Sequence, residues 1–354
     1  MKNKIANKNP RVLMIGLTVP EEGGSERHIY EISSRMSNCT VLTQKGSLCK
    51  NKIEIPVIRK SLFLRNISFA LMCYLYMFKL LLFKKEFDVI HIHENLLYFL
   101  APILGIRYET VITVHGFQGF KFHDRKYLWF FFKWALLRAD KIITHGFYET
   151  QLLKKLHNDV NNIPDGVDLD IYKRITPKIE KKISFVGRVH EQKGIIYLLD
   201  AFEIVSRRFP DYKFEIIAKK NDFQRELARK HTNKRIIWRG FILDRRQLFK
   251  EIASSEILIY PSLWEAVPWP ALLEGLASGR PVIASVIYGL DRYFKNNKEI
   301  LFVKPKNSNE IANSVIKLIK NKKLASKIGK NAKKTLEGYG LDVAARKIYN
   351  YYSS

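Results

Sequence analysis

The stretch KKISFVGRVHEQKGIIYLLDAF, residues 181–202, decides the fold class. Its apolar run, Ile183 to Val186, is followed at once by the turn residue Gly187. After a polar segment and a second glycine, Gly194, apolar residues recur at intervals of three or four, as they do along one face of a helix. A buried strand, a polar turn and a helix therefore follow one another directly, which is typical of an α/β sheet.

The same alternation recurs along both halves of the chain. Strand candidates in the first half are RVLMIGL, DVIHIHE, YETVITVHGF and ADKIITHGF. Those in the second half are KKISFVGRV, YKFEIIAK, KRIIWRGF, EILIYPS and RPVIASV, and helical periods separate several of them. Such alternation indicates parallel sheets that are covered by helices on both faces. We therefore predict an α/β fold with two Rossmann-like domains.

The seam between the domains is expected in NIPDGVDLDIYKRITPKIEKK, residues 162–182, because turn residues and charges replace periodicity there. The predicted first domain covers 1–173 and the second covers 174–335. Residues 336–354 are predicted to form a C-terminal helix that can cross back to the first domain.

The net charge is the unusual feature of the composition of this 354-residue chain. With 61 Lys and Arg against 34 Asp and Glu, the net charge is +27, which favours an anionic partner: nucleic acid, a phosphate-bearing ligand or an acidic membrane. A merely solvated basic surface is the alternative. The three cysteines form neither an even set nor a CxxC pair, so we expect reduced thiols in a cytoplasmic protein.

Residues 61–85, SLFLRNISFALMCYLYMFKLLLFKK, are the most apolar part of the chain. Arg65 and Lys79 bracket only 13 uncharged residues, which is too short a run to span a bilayer. Two interpretations stay open: a core helix of the first domain, or a partly exposed helix that lies on a membrane surface.

Several candidate ligand-binding residues follow predicted strands, where α/β sheets hold their ligands. Arg188 and Lys193 lie five residues apart across a strand-to-helix turn and could both reach one diphosphate, although two solvated cations would look the same. In PSLWEAVPWPALLEGLASGRPVIAS, residues 261–285, Glu274 is expected inside a helix that begins at Pro270, with Glu265 before it. A buried loop is the alternative.

In the first half, Gly23 and Gly24 lie between the first strand and its helix, where backbone N–H groups could approach a phosphate, or simply form a turn. His115 ends the VITV strand. His91 and His93 share one face of a strand, but no third histidine or cysteine follows at a ligand spacing, so packing is favoured over zinc. The DLD run at 168–170 looks like a metal-binding motif but lies in the seam. We predict no metal site.

Six motifs in order carry a resemblance that covers nearly the whole chain. They are GGSERHIYEIS, DVIHIHE, TVHGF, IPDGVDLDIY, FVGRVHEQKGIIYLLDAF and YPSLWEAVPWPALLEGLASGRPVIAS. Taken together they resemble the retaining glycosyltransferases of family 4, which have the GT-B fold, two Rossmann-like domains that face each other across a cleft.

The resemblance implies a retaining hexosyltransferase that uses a UDP- or GDP-linked sugar and needs no metal or other cofactor. The first domain would bind the acceptor and the second domain the donor. The net charge of +27 and the apolar segment 61–83 in the first domain further predict a lipid-linked or membrane-proximal glycan acceptor at the cytoplasmic face of an anionic membrane, in polysaccharide or glycolipid synthesis. The implied catalytic residues are His115 at the sugar, Arg188 and Lys193 at the diphosphate, and Glu265. The implied donor-binding residues are Gly23, Gly24, Gly187, Arg188, Lys193 and Glu274, the last at the ribose.

The chain departs from the family pattern at two places. Family members usually have seven residues between two glutamates, whereas Glu265 and Glu274 enclose eight. The Asn of the usual Asn-Gly turn is here Asp165. Two rival functions stay open: a nonhydrolysing sugar-nucleotide epimerase of the same architecture, and a non-enzymatic basic protein that binds membrane or nucleic acid. Against the second, the basic residues are spread along the chain and no nucleic-acid module interrupts the α/β pattern.

Overall fold

The computed structural model describes residues 9–18, 24–83, 86–116 and 126–354. The chain forms two compact units, one made of the residues up to Asp165 together with Leu341–Ser354, and the other of Gly166–Gly340. The division after Asp165 lies a little before the predicted boundary at 173. Each unit contains a parallel sheet covered by helices, so the prediction of two Rossmann-like domains is confirmed.

The first unit is built on a parallel sheet with the strand order β3-β2-β1-β4-β5-β6-β7. The strands are β1 (Val12–Ile15), β2 (Cys39–Gln44), β3 (Lys52–Ile55), β4 (Val89–Ile92), β5 (Glu109–Val114), β6 (Lys141–Thr144) and β7 (Val160–Asn162). Its helices up to the seam are α1 (Gly24–Ser33), α2 (Leu62–Leu82), α3 (Ala101–Leu104), α4 (Lys126–Leu136) and α5 (Phe147–Lys154), with a 3-10 segment at Asn95–Leu100.

The second unit repeats the design with the strand order β10-β9-β8-β11-β12-β13, again parallel throughout. The strands are β8 (Glu180–Val186), β9 (Lys213–Ile217), β10 (Ile236–Trp238), β11 (Ser255–Tyr260), β12 (Val282–Ser285) and β13 (Leu301–Val303). The helices are α6 (Leu169–Lys173), α7 (Ile195–Arg208), α8 (Asp222–Lys230), α9 (Arg245–Ser254), α10 (Pro270–Ala277), α11 (Leu290–Tyr293), α12 (Ser308–Lys320) and α13 (Lys322–Thr335).

The strand order of each sheet reverses at one point, between β1 and β4 in the first unit and between β8 and β11 in the second. At such a switch point the connections leave the sheet on opposite faces, and a crevice opens beyond the carboxyl ends of the two strands. The loops that follow β1, β4, β8 and β11 are therefore where ligands are expected.

The last helix, α14 (Leu341–Ser353), belongs to the first unit. Its apolar side packs with α1 and the sheet through buried residues such as Ile348 and Ile29. Buried polar contacts hold its end: Lys141 Nζ lies 2.7 Å from Glu109 Oε1 and donates to the carbonyl oxygen of Tyr351 at 2.7 Å. The end of the chain thus completes the core of the first unit.

Helix α2 has one face in the core and one face exposed, so it has features of both alternatives that the sequence left open. Its residues Phe69, Cys73 and Met77 are buried in the core of the first unit. By length and composition alone the helix could cross a membrane, but this face is committed to the core. Six large apolar side chains, each at least 45% exposed, line the opposite face at intervals of three or four: Phe63, Ile67, Leu71, Leu75, Phe78 and Leu82.

We expect Ile348→Ala to lower the free energy of unfolding by about 2–5 kcal/mol, because it leaves a cavity between α14 and the sheet. Urea unfolding followed by circular dichroism measures the change. The control is Lys347→Ala on the exposed side of the same helix, which should change stability by less than about 0.5 kcal/mol. Equal effects of the two substitutions would contradict the packing of α14.

Candidate active site

A buried ion pair lies at the switch point of the second sheet. Lys193, only 9% exposed, ends the 3-10 turn Glu191–Lys193 between β8 and α7, and its ammonium contacts Glu265 Oε1. The same ammonium lies 5.7 Å from the centre of the Trp269 ring. Glu265 belongs to the loop after β11, so the pair joins the two strands at which the order reverses.

The loops that carry this pair are held against each other by their backbones. Leu263 N donates to the Gln192 carbonyl at 2.7 Å, and Gln192 Nε2 donates to the Trp264 carbonyl at 2.9 Å. Gly194 has a φ of +66°, and a Cβ there would lie 2.1 Å from the Pro261 carbonyl oxygen. Only glycine allows this approach, which brings Lys193 to Glu265.

Gly187 and Arg188 follow β8 directly and lie at the same end of the sheet. Gly187 has a φ of +152°, a conformation that favours glycine. Arg188 is exposed, and its guanidinium forms no hydrogen bond or ion pair with any residue that the structure describes. The loop after β8 therefore carries one exposed guanidinium and one buried ammonium.

Glu274 lies in α10, which begins at Pro270 as the sequence predicts. The residue is only 5% exposed, and its carboxylate pairs with Arg245 Nη2 at the start of α9. Glu265 and Glu274 thus have different cationic partners, Lys193 and Arg245. Arg245 gave no signal in the sequence, because it lies far from Glu274 along the chain and in no recognised motif.

In the first unit, histidines from four segments meet at the carboxyl end of the sheet. His93 Nδ1 lies 2.9 Å from His115 Nε2, and His115 Nδ1 lies 3.2 Å from His145 Nε2. His28 from α1 joins them, with its ring centre 4.7 Å from that of His145. His28 Nδ1 also lies 2.7 Å from Asp165 Oδ1, just after β7.

The hydrogen bonds fix the direction of the His93–His115–His145 row. His145 Nδ1 lies 2.8 Å from the carbonyl oxygen of Ile163, which can only accept, so this nitrogen carries the proton. In neutral rings His145 Nε2 then accepts from His115 Nδ1, and His115 Nε2 accepts from His93 Nδ1. Both nitrogens of His115 are therefore used within the row, and His93 Nε2 is a buried acceptor without a partner among the described residues.

Burial lowers the pKa of His93, His115 and His145 below the ordinary histidine value, and for His93 and His115 neighbouring histidines lower it further. Burial alone would raise the pKa of Asp165, but interactions with His145 and His28 outweigh it, and that pKa lies below its usual range. The row is therefore neutral and Asp165 is ionised at neutral pH.

The sequence showed no third histidine or cysteine at a ligand spacing from His91 and His93, but the fold adds histidines that are distant along the chain. His28 and His115 contact His93, and His145 joins the group through His115. His91 is satisfied separately: its nitrogens lie 2.6 Å from the hydroxyls of Tyr352 and Thr113, as packing would predict.

Two of the predicted features remain, the glycine pair and the DLD run. Gly24 is the first residue of α1, and Gly23 lies outside the described residues. In the DLD run, Asp168 caps α6 by accepting from the backbone of Asp170 and Ile171. A residue that the sequence did not single out is Glu94, whose carboxylate accepts from Leu17 N at 3.2 Å. Burial raises the pKa of Glu94 to about 7.

Comparisons with known proteins identify the family of the chain. Residues 22–171 match the sequence profile of Glycosyltransferase Family 4, and residues 170–335 match that of Glycosyl transferases group 1. The chain belongs to the family 4 glycosyltransferases. It is an enzyme that transfers a sugar.

One curated relative of this glycosyltransferase is the UDP-Gal:alpha-D-GlcNAc-diphosphoundecaprenol alpha-1,3-galactosyltransferase of Escherichia coli. The two are 27% identical over 77% of this chain and 76% of the relative. Among solved structures, the Anabaena protein HepE in complex with UDP and glucose is 16% identical, with a TM-score of 0.80 over 98% of this chain and 100% of that chain. Sucrose-phosphate synthase from Thermosynechococcus elongatus is 18% identical, with a TM-score of 0.79 over 96% and 98%. The predicted GT-B fold is confirmed.

We expect Gly194→Ala to lower the stability of the glycosyltransferase by about 2 kcal/mol or more, because a left-handed alanine and a clash with Pro261 add together. The displaced turn should also reduce transfer. The control is Gly338→Ala in the same unit, where a Cβ meets nothing within 4 Å. Thermal unfolding measures both variants, and equal stability would argue against the close approach.

Proposed function

We propose that the glycosyltransferase moves a sugar from a UDP- or GDP-linked donor to a hydroxyl of a glycan or lipid-linked acceptor, with retention of the anomeric configuration. The observation that carries the proposal is the pair of cations after β8, Arg188 and Lys193, at the switch point of the second sheet and just before α7. The name of the Escherichia coli relative, which contains a UDP-sugar and a lipid-linked acceptor, supports this choice.

Arg188 and Lys193 would act on the diphosphate that leaves. As the bond between the anomeric carbon and the diphosphate breaks, negative charge grows on the leaving oxygens, and fixed cations stabilise that charge. Arg188 offers a planar fork, while Lys193 keeps two N–H groups beyond the one used by Glu265. With these two cations in place, we propose that no metal ion is needed at the diphosphate.

The acceptor oxygen would form the new bond to the anomeric carbon on the face that the diphosphate leaves. Its proton would pass to an oxygen of the departing phosphate, so that charge and protons balance. Glu265 would hold Lys193 in place, and it would not attack the sugar, since its carboxylate is committed to that ammonium. Glu274, oriented by Arg245, would bind the ribose hydroxyls. His115 would contact the transferred sugar through its ring carbons, because both of its nitrogens are used within the histidine row.

We expect Arg188→Ala and Lys193→Ala each to lose about 2–4 kcal/mol of transition-state stabilisation, or roughly 30- to 1000-fold in rate. Transfer from UDP- and GDP-sugars to a lipid-linked acceptor is measured in EDTA, where the unmodified enzyme should remain active. Lys230→Ala, which removes an exposed cation of the same unit, is the control and should turn over normally.

Two outcomes would contradict the proposal. Near-normal turnover of both variants would show that the two cations do not take part in the reaction. An altered free sugar nucleotide with no lengthened acceptor would instead identify an epimerase. Donor binding is tested separately by thermal shift, because a nucleotide at 100 times its dissociation constant adds about 2.7 kcal/mol of stability.

We propose further that the enzyme works at the cytoplasmic face of a membrane, bound peripherally through the exposed face of α2. Along that helix Lys79 is the exposed charged residue, and the exposed apolar side chains cover one continuous side. Helix α4, which like α2 packs on the segment Asn95–Leu100, exposes Phe130, Phe131 and Trp134 as well. Burying such side chains while a chain of charge +27 meets anionic headgroups favours surface binding.

We expect the purified enzyme to co-sediment with vesicles that contain anionic lipid, and less so as salt is raised. The double variant Leu71→Gln and Leu75→Gln should reduce binding strongly without loss of fold, because both side chains are more than half exposed. Leu243→Gln, equally apolar and 68% exposed in the second unit, is the control. Unchanged binding of the double variant would refute the role of α2.

A further inference from the structure

Three potential metal ligands of the first unit come from different elements. His28 lies on α1, His145 follows β6, and Asp165 follows β7. One ligand atom from each lies within 4.8 Å of the other two. All three belong to the same compact unit, and both histidines are at most 5% exposed.

The distances fit a small cation. Asp165 Oδ1 lies 2.7 Å from His28 Nδ1 and 3.7 Å from His145 Nε2. A tetrahedral ion with bonds of about 2.0–2.1 Å places its ligands about 3.3 Å apart, which lies between these two values. Small side-chain movements would therefore bring the three atoms to one ion.

His145 already has the tautomer of a metal ligand. Its Nδ1–H donates to the Ile163 carbonyl at 2.8 Å, so Nε2 carries a lone pair, which accepts from His115 Nδ1 and lies 3.7 Å from Asp165 Oδ1. Histidines that bind metals almost always use their second nitrogen in this way, because the bond fixes the tautomer and the ring orientation. The hydrogen bond from His145 to Ile163 is an observation separate from the distances between the three ligand atoms.

We propose that His28, His145 and Asp165 bind a divalent transition metal of the zinc class. Two imidazoles and one carboxylate suit zinc, cobalt or nickel, whereas magnesium and calcium prefer oxygen ligands throughout. The bound ion takes the place of the His28–Asp165 hydrogen bond: the ring proton of His28 moves from Nδ1 to Nε2, which has no partner among the described residues. His145 Nε2 likewise gives up its bond from His115.

The site lies in the first unit, whereas the proposed diphosphate-binding cations belong to the second. Its role would be to stabilise the loops after β6 and β7, and transfer would not need the ion. The ligands are far apart in sequence, which explains why no metal-binding spacing was visible.

Calorimetric titration of the chelator-treated full chain with Zn²⁺ tests the site, and the visible absorption of the Co²⁺ form reports its coordination. We expect one equivalent of Zn²⁺ per chain. His28→Ala and Asp165→Asn should each weaken binding at least about tenfold, since even residues beyond the ligands cost that much. Asp165→Asn restores the residue that family members usually have, so it should fold and keep transferase activity.

Two controls separate this site from adventitious binding. Asp342→Asn makes the same chemical change at an exposed aspartate of the same unit, and His231→Ala removes a histidine from the second unit. Both should bind Zn²⁺ as the unmodified chain does. Absence of stoichiometric binding, or equal affinity of the Asp165→Asn variant and the unmodified chain, would overturn the proposal.

Discussion

A parallel sheet must be covered on both faces, and in the first unit the last helix of the chain completes one of them. Strands such as β1 and β4 are buried along their whole length, so neither face can meet water. Helix α14 supplies apolar cover, and its polar groups satisfy buried partners: the Tyr352 hydroxyl lies 2.6 Å from His91 Nδ1. His28 lies on α1, which packs against the same helix.

In the second unit the main constraint is the stabilisation of a buried charge. A buried ammonium is stable only beside an opposite charge, and Glu265 provides it for Lys193. The pairing requires two loops to approach more closely than any residue but Gly194 would allow. The local backbone therefore decides where the lysine lies. A nearby diphosphate would meet a lysine that is already oriented, so little side-chain entropy would remain to be lost on binding.

Sequence alone predicted the parts of the fold that have strong local signals. The strands with long apolar runs and the helix after Gly194 were found because their periodicity is unmistakable. Short strands with little pattern, such as β3 and β7, were not named, since three or four residues of mixed polarity have no clear period. Helix α2 was predicted to be either a core helix or a partly exposed amphipathic helix on a membrane surface, and in the structure one of its faces is buried and the other exposed.

In the candidate site, too, the sequence indicated the residues that have a local signal and missed those that have none. Arg188, Lys193 and Glu274 lie in motifs that combine turn residues with a charged side chain, so the sequence indicated them. Their partners Glu265 and Arg245 were uncertain or unseen, because an ion pair between residues about 30 or 70 positions apart leaves no local pattern. The histidine cluster was missed for the same reason: its members follow different strands, and only the parallel sheet brings those strand ends together.

Asp165 differs from the asparagine that is usual in this family by a negative charge. An asparagine, usual in this family, could accept a hydrogen bond from His28 as a neutral group. The aspartate adds a negative charge that is largely buried, and burial of an unpaired charge costs several kcal/mol or more. His115 and His145 are neutral at pH 7 and offer only dipoles. A bound cation in contact with Asp165 would balance this charge, and His145 Nε2, 3.7 Å from the carboxylate, could coordinate the same ion once it gives up its bond from His115.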